Sequence, residues 1–148
     1  MNPLDVRNLL RRHNLYPKKS LGQNFLVDET ALAKVAGAAE IGPDDTVLEI
    51  GAGLGSLTRH LAEMAGRVVA VEIDSTLFPA LQETLKGYAQ VELIQGDILR
   101  LDLGQHVSLP NGYKVAANIP YYITSAVIRH LLEASVRPQR IVLTVQRE

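Results

Sequence analysis

Thr46-Val47-Leu48-Glu49-Ile50-Gly51-Ala52-Gly53-Leu54-Gly55 decides the architecture of this 148-residue chain. The first five residues form a nearly continuous apolar run rather than an alternating one, the pattern of a strand covered on both faces in a parallel sheet. Three glycines at every second position then permit a tight turn. They also let a ligand approach backbone N–H groups where the next helix begins. Leu54–Met64 continues at helical spacing, so the stretch reads as strand, glycine turn and helix.

The same alternation extends downstream. Further strands are predicted at Arg67–Glu72, Val91–Gln95, Tyr113–Ala117 and Arg140–Val145, and helices at Ser75–Lys86 and Ile123–Ser135, with residues 99–112 as loop. Strands separated by helices imply right-handed βαβ crossovers and hence a doubly wound α/β sheet over residues 46–148. Residues 1–45 form a preceding helical and loop segment. In it Asn2, Pro3 and Asp5 suggest a capped helix to about His13. Asp28 suggests the cap of a second helix to about Ala39, with Val27 and Leu32 as a hydrophobic staple. Arg140–Val145 has the composition of a buried strand very near the last residue, which suggests a piece of a longer protein and an edge through which copies of the chain can pair.

Composition narrows the classes. A formal net charge of −1 excludes a uniformly basic nucleic-acid coat but not a local basic patch. The absence of cysteine removes disulfides and thiolate nucleophiles and fits a cytoplasmic protein. No apolar run approaches the ~20 residues of a membrane helix, so no membrane partner is expected. His13, His60, His106 and His130 lack ligand spacing, and no metal site is expected.

Around the glycine turn stand three acids. Glu72 ends the second strand about 20 residues further on, where a carboxylate can accept both hydroxyls of a ribose. That suits NAD and S-adenosyl-L-methionine alike. Two details favour the latter: Ser56 stands where the dinucleotide fingerprint has its third glycine, and Glu49 would repel a pyrophosphate yet can orient a cationic methionine end. Gly96-Asp97-Ile98 closes the third strand, placing a carboxylate to accept from an adenine amine while Ile98 covers the ring. As a plain turn residue, Asp97 would instead cap Leu99 onward.

Asn118-Ile119-Pro120-Tyr121 closes the fourth strand. An adenine N6 amine is a poor nucleophile because its lone pair is delocalised into the ring. The side-chain oxygen of Asn118 and the carbonyl of Ile119 can accept its two N–H bonds and draw the nitrogen toward a tetrahedral shape. Pro120 fixes the turn and Tyr121 offers a stacking face for an extruded base. Tyr122 reads as core or rim.

Together Gly22-Gln23-Asn24-Phe25-Leu26, Glu49 to Gly55, Glu72, Gly96-Asp97-Ile98 and Asn118 to Tyr121 resemble the rRNA adenine dimethyltransferases in order and spacing. The resemblance implies a Rossmann-like class I S-adenosylmethionine-dependent methyltransferase domain, truncated after its fifth strand. Two further strands, a later aromatic loop and a small C-terminal helical domain of that family lie outside the match. It implies that Gln23, Asn24 and Leu26 touch the methionine end of the cofactor. Glu49, Gly51, Ala52, Gly53, Gly55, Glu72, Ile73, Asp97, Ile98 and Asn118 complete the implied cofactor site, and Asn118, Ile119, Pro120 and Tyr121 the catalytic one. Gly22, Ala52 and Leu54 look more like the branch that dimethylates two adjacent adenines near the 3′ end of small-subunit rRNA than the large-subunit resistance branch. The implied partner is small-subunit rRNA in an immature 30S-type particle, the full-length enzyme acting as a monomer. Arg11, Arg12, Lys18 and Lys19, with Arg7, form the one clear basic cluster, suited to rRNA phosphates.

Overall fold

A computed structural model describes residues 1–18, 25 and 28–146. Five parallel strands form one sheet in the order β3-β2-β1-β4-β5. β1 (Thr46–Ile50), β2 (Arg67–Glu72) and β3 (Val91–Gln95) occupy the expected residues. β5 (Arg140–Gln146) lies at one edge of the sheet.

β4 differs from expectation, running over Lys114–Pro120 rather than Tyr113–Ala117. The apolar run stops at Asn118, but backbone pairing continues, with Asn118 opposite Thr144, Ile119 opposite Val145 and Pro120 opposite Gln146. Pro120 has no N–H to donate, and the strand ends with it.

The helices are α1 (Val6–Arg12), α2 (Glu29–Ala38), α3 (Ser56–Met64), α4 (Phe78–Thr84) and α5 (Thr124–Glu133). Asp5, not Asn2, caps α1, its carboxylate accepting from the Asn8 N–H at 3.1 Å, and Pro3 lies before the helix. Asp28 caps α2 as expected, at 2.9 Å from the Thr30 nitrogen; its suggested staple partner Val27 is outside the described residues. α3 starts two residues late because Gly55, at φ 92°, is a left-handed N-cap. The helix expected over Ser75–Lys86 splits into a 3-10 turn at Ser75–Leu77 and α4, whose first turn accommodates Pro79, and it stops at Thr84.

Successive residues of β1 feed opposite faces. Leu48 and Ile50 join Val69, Val115, Ala117, Val127 and Leu131 beneath α5 and the loop from 99 to 112. Val47 joins Val68, Ala116, Leu32, Ala36, Leu57 and Leu61 beneath α2 and α3. Burial on both faces is what the unbroken apolar runs encode. At the foot of the sheet Gly66 lies so close to Pro43 that an added Cβ would sit 2.3 Å from the Pro43 carbonyl oxygen. Two backbones cannot yield as side chains do, so Gly66→Ala is expected to destabilise by about 1–3 kcal/mol, read as a lowered urea midpoint at unchanged slope.

Candidate active site at the carboxyl ends of the strands

Chain order reverses between β1 and β4, and a crevice opens at such a point beyond the carboxyl ends of parallel strands. Here it is a cleft of about 320 Å³. Its walls include Glu49, Gly51, Ala52, Gly53, Glu72, Ile73, Asp97, Ile98, Asn118, Ile119 and Pro120 from the sequence reading. Two expected members are not on its walls. Gly55 instead seats α3 on α4: a Cβ there would lie 2.9 Å from the Thr84 methyl carbon. Tyr121, 47% exposed, stands outside, while its neighbour Tyr122 lines the rim. Gln23, Asn24, Leu26 and Lys19 lie outside the described residues.

The turn after β1 is held from both sides. The Gly51 and Ala52 N–H groups donate to the Val71 carbonyl at 2.9 and 3.2 Å. Gly51, at φ 82°, passes the strand end of β4 so closely that a Cβ would meet the Asn118 carbonyl oxygen at 3.0 Å. Glycine is therefore required there on two counts. The Glu72 carboxylate accepts from the Gly53 N–H at 2.7 Å through one oxygen and from the Asp74 N–H at 2.9 Å through the other. Both oxygens thus serve the turn itself, and a ribose would have to share them through their second lone pairs. Burial raises the Glu72 pKa, while the two amides act against that shift.

Glu49 is enclosed at 1% exposure and takes a hydrogen bond from the Thr58 hydroxyl of α3. Burial, aided by the nearby Glu72 charge and opposed by Thr58, pushes its pKa up to about 8. At the end of β3, Asp97 makes the turn bond and also lines the cleft. One of its oxygens accepts from the Leu99 N–H at 3.0 Å. Ile73 and Leu99 are exposed beside it, apolar surface at the mouth of a ligand cleft.

β4 outruns β1: its pairing with β1 ends at Ala117, opposite Ile50. Asn118, Ile119 and Pro120 therefore project past the glycine turn as the final residues of the strand, not as a loop after it. The Asn118 Oδ1 atom is buried without a hydrogen-bond partner. An orphaned buried acceptor on the wall of a cleft points to a missing donor. Tyr121 and Tyr122 pack edge to face, ring centres 5.8 Å apart.

Sequence reading did not single out Phe25, Leu32, Ser56, Leu57, Leu99 or Tyr122 as site residues, yet all line the cleft. Phe25 carried a usable signal, an aromatic inside a polar segment; its ring lies 3.5 Å from where a Gly53 Cβ would stand. Two members of the basic cluster have acidic partners within the chain. Lys18 Nζ donates to Asp74 at 3.1 Å and to Thr76 at 3.2 Å, and Arg12 pairs with Glu83 at 2.6 Å. Arg7 and Arg11 are exposed. Among the described residues no group of His, Cys, Asp and Glu could hold a metal ion, and no helix is long and apolar enough to cross a membrane.

A parallel sheet in this order, a glycine turn between β1 and α3, and acids at the ends of β1, β2 and β3 define a Rossmann-like methyltransferase domain. Solved structures agree. The 23S rRNA methyltransferase ErmE superposes with a TM-score of 0.72 at 38% identity, over 83% of this chain and 48% of that one. A dimethyladenosine transferase from Plasmodium falciparum does so with 0.71 at 32%, over 84% and 44%. The chain belongs to the ribosomal RNA adenine dimethylase family, whose pattern matches residues 14–148. Ribosomal RNA small subunit methyltransferase A from Moorella thermoacetica is 51% identical over 95% of this chain and 51% of its own length. The protein of that name from Dehalococcoides mccartyi is 46% identical over 97% and 49%. The chain thus spans about half the length of these relatives. S-adenosylmethionine is the cofactor of the family, and the donor set fits it: buried acceptors around an apolar slot, with no competing cation among the described residues that line the cleft.

Two measurements test this site. Asp97→Ala is expected to weaken S-adenosylmethionine binding about 10- to 150-fold, the loss of one charge-assisted hydrogen bond, in a domain that calorimetry still shows folded. The ligand-free protein should also lose stability as pH rises. Unfolded, Glu49 gives up its proton near its ordinary 4.5; folded, it keeps it to about 8. Between those values the native state holds the extra proton, so this contribution is complete below pH 4.5 and is lost progressively up to about 8. Glu72 shifts in the same direction, whereas Asp45 and Glu83 are lowered and act only in the acid range. The slope of Tm between pH 5 and 8 should therefore flatten in Glu49→Gln; an identical slope would remove Glu49 as its source.

Proposed function

We propose that the protein transfers methyl groups from S-adenosylmethionine to N6 of two adjacent adenines near the 3′ end of small-subunit rRNA, within an immature 30S-type particle. The observation that carries the amine-directed chemistry is the unpartnered Asn118 Oδ1 at the end of β4. An adenine N6 amine supplies the donor this acceptor lacks. The Ile119 carbonyl takes the amine's second N–H, and the exposed ring of Tyr121 turns onto the base from the rim, against Tyr122.

When bound, S-adenosylmethionine supplies the electrophilic methyl group. In this reading Glu72 and the Gly51–Gly53 turn would hold its ribose, Asp97 and Ile98 its adenine and Glu49 its methionine end, where the resemblance to the family adds Gln23, Asn24 and Leu26. The chain's own contribution is positioning: Asn118 holds the amine, and Pro120 holds the strand end that carries it. No side chain need act as a base, because a methylated amine becomes strongly acidic and releases its proton to water. In this reading the exposed Arg7 and Arg11 would meet rRNA phosphates, with Lys18 and Arg12 joining only by giving up Asp74 and Glu83.

The choice of the small-subunit target is supported by the named relatives, at 51% and 46% identity against 38% for the 23S enzyme. The test is to map methylated nucleotides in ribosomal particles of cells that depend on this protein. Dimethylation of adjacent adenines at the small-subunit 3′ end is expected, and methylation confined to large-subunit rRNA would overturn the assignment. Asn118→Ala should slow transfer at saturating cofactor by about 10²-fold or more, the usual cost of removing one oriented polar group from a reacting centre.

A further inference from the structure

Three carboxyl groups and one amide oxygen meet at the cleft. Glu49 ends at the Thr58 hydroxyl of α3; the Glu72 carboxylate comes from β2, the unpartnered Asn118 oxygen from β4, and Asp97 from the end of β3. None of the nearby described cations joins them. Lys18 is held on Asp74 and Thr76, Arg59 of α3 on the Asn2 carbonyl, and Lys114, at the far end of β4, on Asp45 and the Glu40 carbonyl. His60 of α3 pairs with Glu29. A carboxyl group at 1% exposure, with a second carboxylate close by and no cation, is most stable as the neutral acid.

We propose that Glu49 is a neutral carboxylic acid in the ligand-free cleft and releases its proton to solvent when the cationic end of S-adenosylmethionine enters, so that cofactor binding is proton-coupled. The inference rests on the cofactor assignment above. The ligand carries a sulfonium and an ammonium against one carboxylate. Positive charge brought into a dry site favours the ionised form of a neighbouring acid. The Glu49 O–H bond breaks, the proton passes to buffer, and the carboxylate remains against the ligand's positive charge, still bonded to Thr58. Glu49 then acts as more than an orienting group: it makes occupancy of the cleft depend on pH across the neutral range. Its raised pKa of about 8 places the coupling there.

The experiment is calorimetric titration of the protein with S-adenosylmethionine at pH 6.5 in phosphate and in imidazole, whose ionisation enthalpies differ. Working below pH 7 keeps the ligand's α-amino group, with an ordinary pKa of about 8, protonated throughout. Release of about one proton per site is expected, with Kd falling about tenfold from pH 6 to pH 7. Glu49→Gln should bind with a buffer-independent enthalpy and a flat pH profile. Should that variant fold poorly or fail to bind, infrared difference spectra of the native protein decide. A protonated-carboxyl band must vanish when S-adenosylmethionine is added, and a spectrum without that loss overturns the proposal. So does a native binding enthalpy that is the same in both buffers, or proton release that persists in Glu49→Gln. Absence of any binding by the folded native protein would instead overturn the cofactor assignment, and this inference with it.

Discussion

β1 is hydrogen-bonded to a parallel neighbour on each side, and both neighbours outrun it. Its pairing with β2 ends at Ile50 opposite Val71, and with β4 at Ile50 opposite Ala117. Beyond Ile50 the chain turns away through glycines, while Glu72 and then Asn118, Ile119 and Pro120 carry on. The gap left over the turn is the cleft. It is bounded by the two strand ends that β1 no longer covers, which is why the residues with the strongest chemical character cluster there. The turn is tight because the Val71 carbonyl receives two of its N–H groups and Glu72 receives a third. One carboxylate therefore shapes the loop and lines the cleft, so changing Glu72 disturbs fold and site together.

Polar groups in that gap are left incompletely satisfied; among the described residues the Tyr113 hydroxyl, in the core beneath α5, is the other buried side-chain atom without a partner. Glu49 has one hydroxyl partner and Asn118 Oδ1 has none, whereas Lys114, also buried, is matched at the other end of the sheet by Asp45 at 2.9 Å and the Glu40 carbonyl at 2.5 Å. The difference separates a structural polar cluster from one awaiting a ligand. An unsatisfied buried acceptor costs about 1–3 kcal/mol. A fold that keeps such a group, the Asn118 oxygen, on the cleft wall is less stable alone than with a donor bound.

The N-terminal segment closes one side of the site mainly by apolar contact. Val6, Leu9 and Phe25 pack with Leu54, Leu77 and Ala80, and burying each side chain is worth about 1.5–3 kcal/mol. Its contacts to Glu83, from Arg12 and His13, lie at the surface, where an ion pair contributes about 0–1 kcal/mol, while Lys18 reaches the buried Asp74 from a part-exposed position. These weaker contacts fix where the segment lies more than whether it is bound. They also alter the reading of the basic cluster, since Arg12 and Lys18 have acidic partners far away in sequence.

Much of this was legible in the residues. Apolar runs bounded by glycine or acid identify β1 and β2 to the residue, because burial on both faces leaves little room for polar alternation. β3, an edge strand with Glu92 and Gln95 exposed, is marked by Val91, Leu93 and Ile94 and by the Gly96-Asp97 that follows it. The order of Glu49, Glu72, Asp97 and Asn118 along the chain identifies the walls of the cleft, because each stands at a strand's carboxyl end. Tertiary structure decided what depends on partners distant in sequence. β4 continues through Pro120 because β5 pairs with it, a fact no local pattern around Asn118 contains. Both Glu72 oxygens are occupied because the Gly53 and Asp74 amides fold onto them. Tyr122 rather than Tyr121 lines the rim, both standing in a 3-10 turn, Tyr121–Ile123, that follows β4. Above all, the state of Glu49 follows from complete enclosure beside a second carboxylate, and proton affinity is set by surroundings that only the assembled sheet provides.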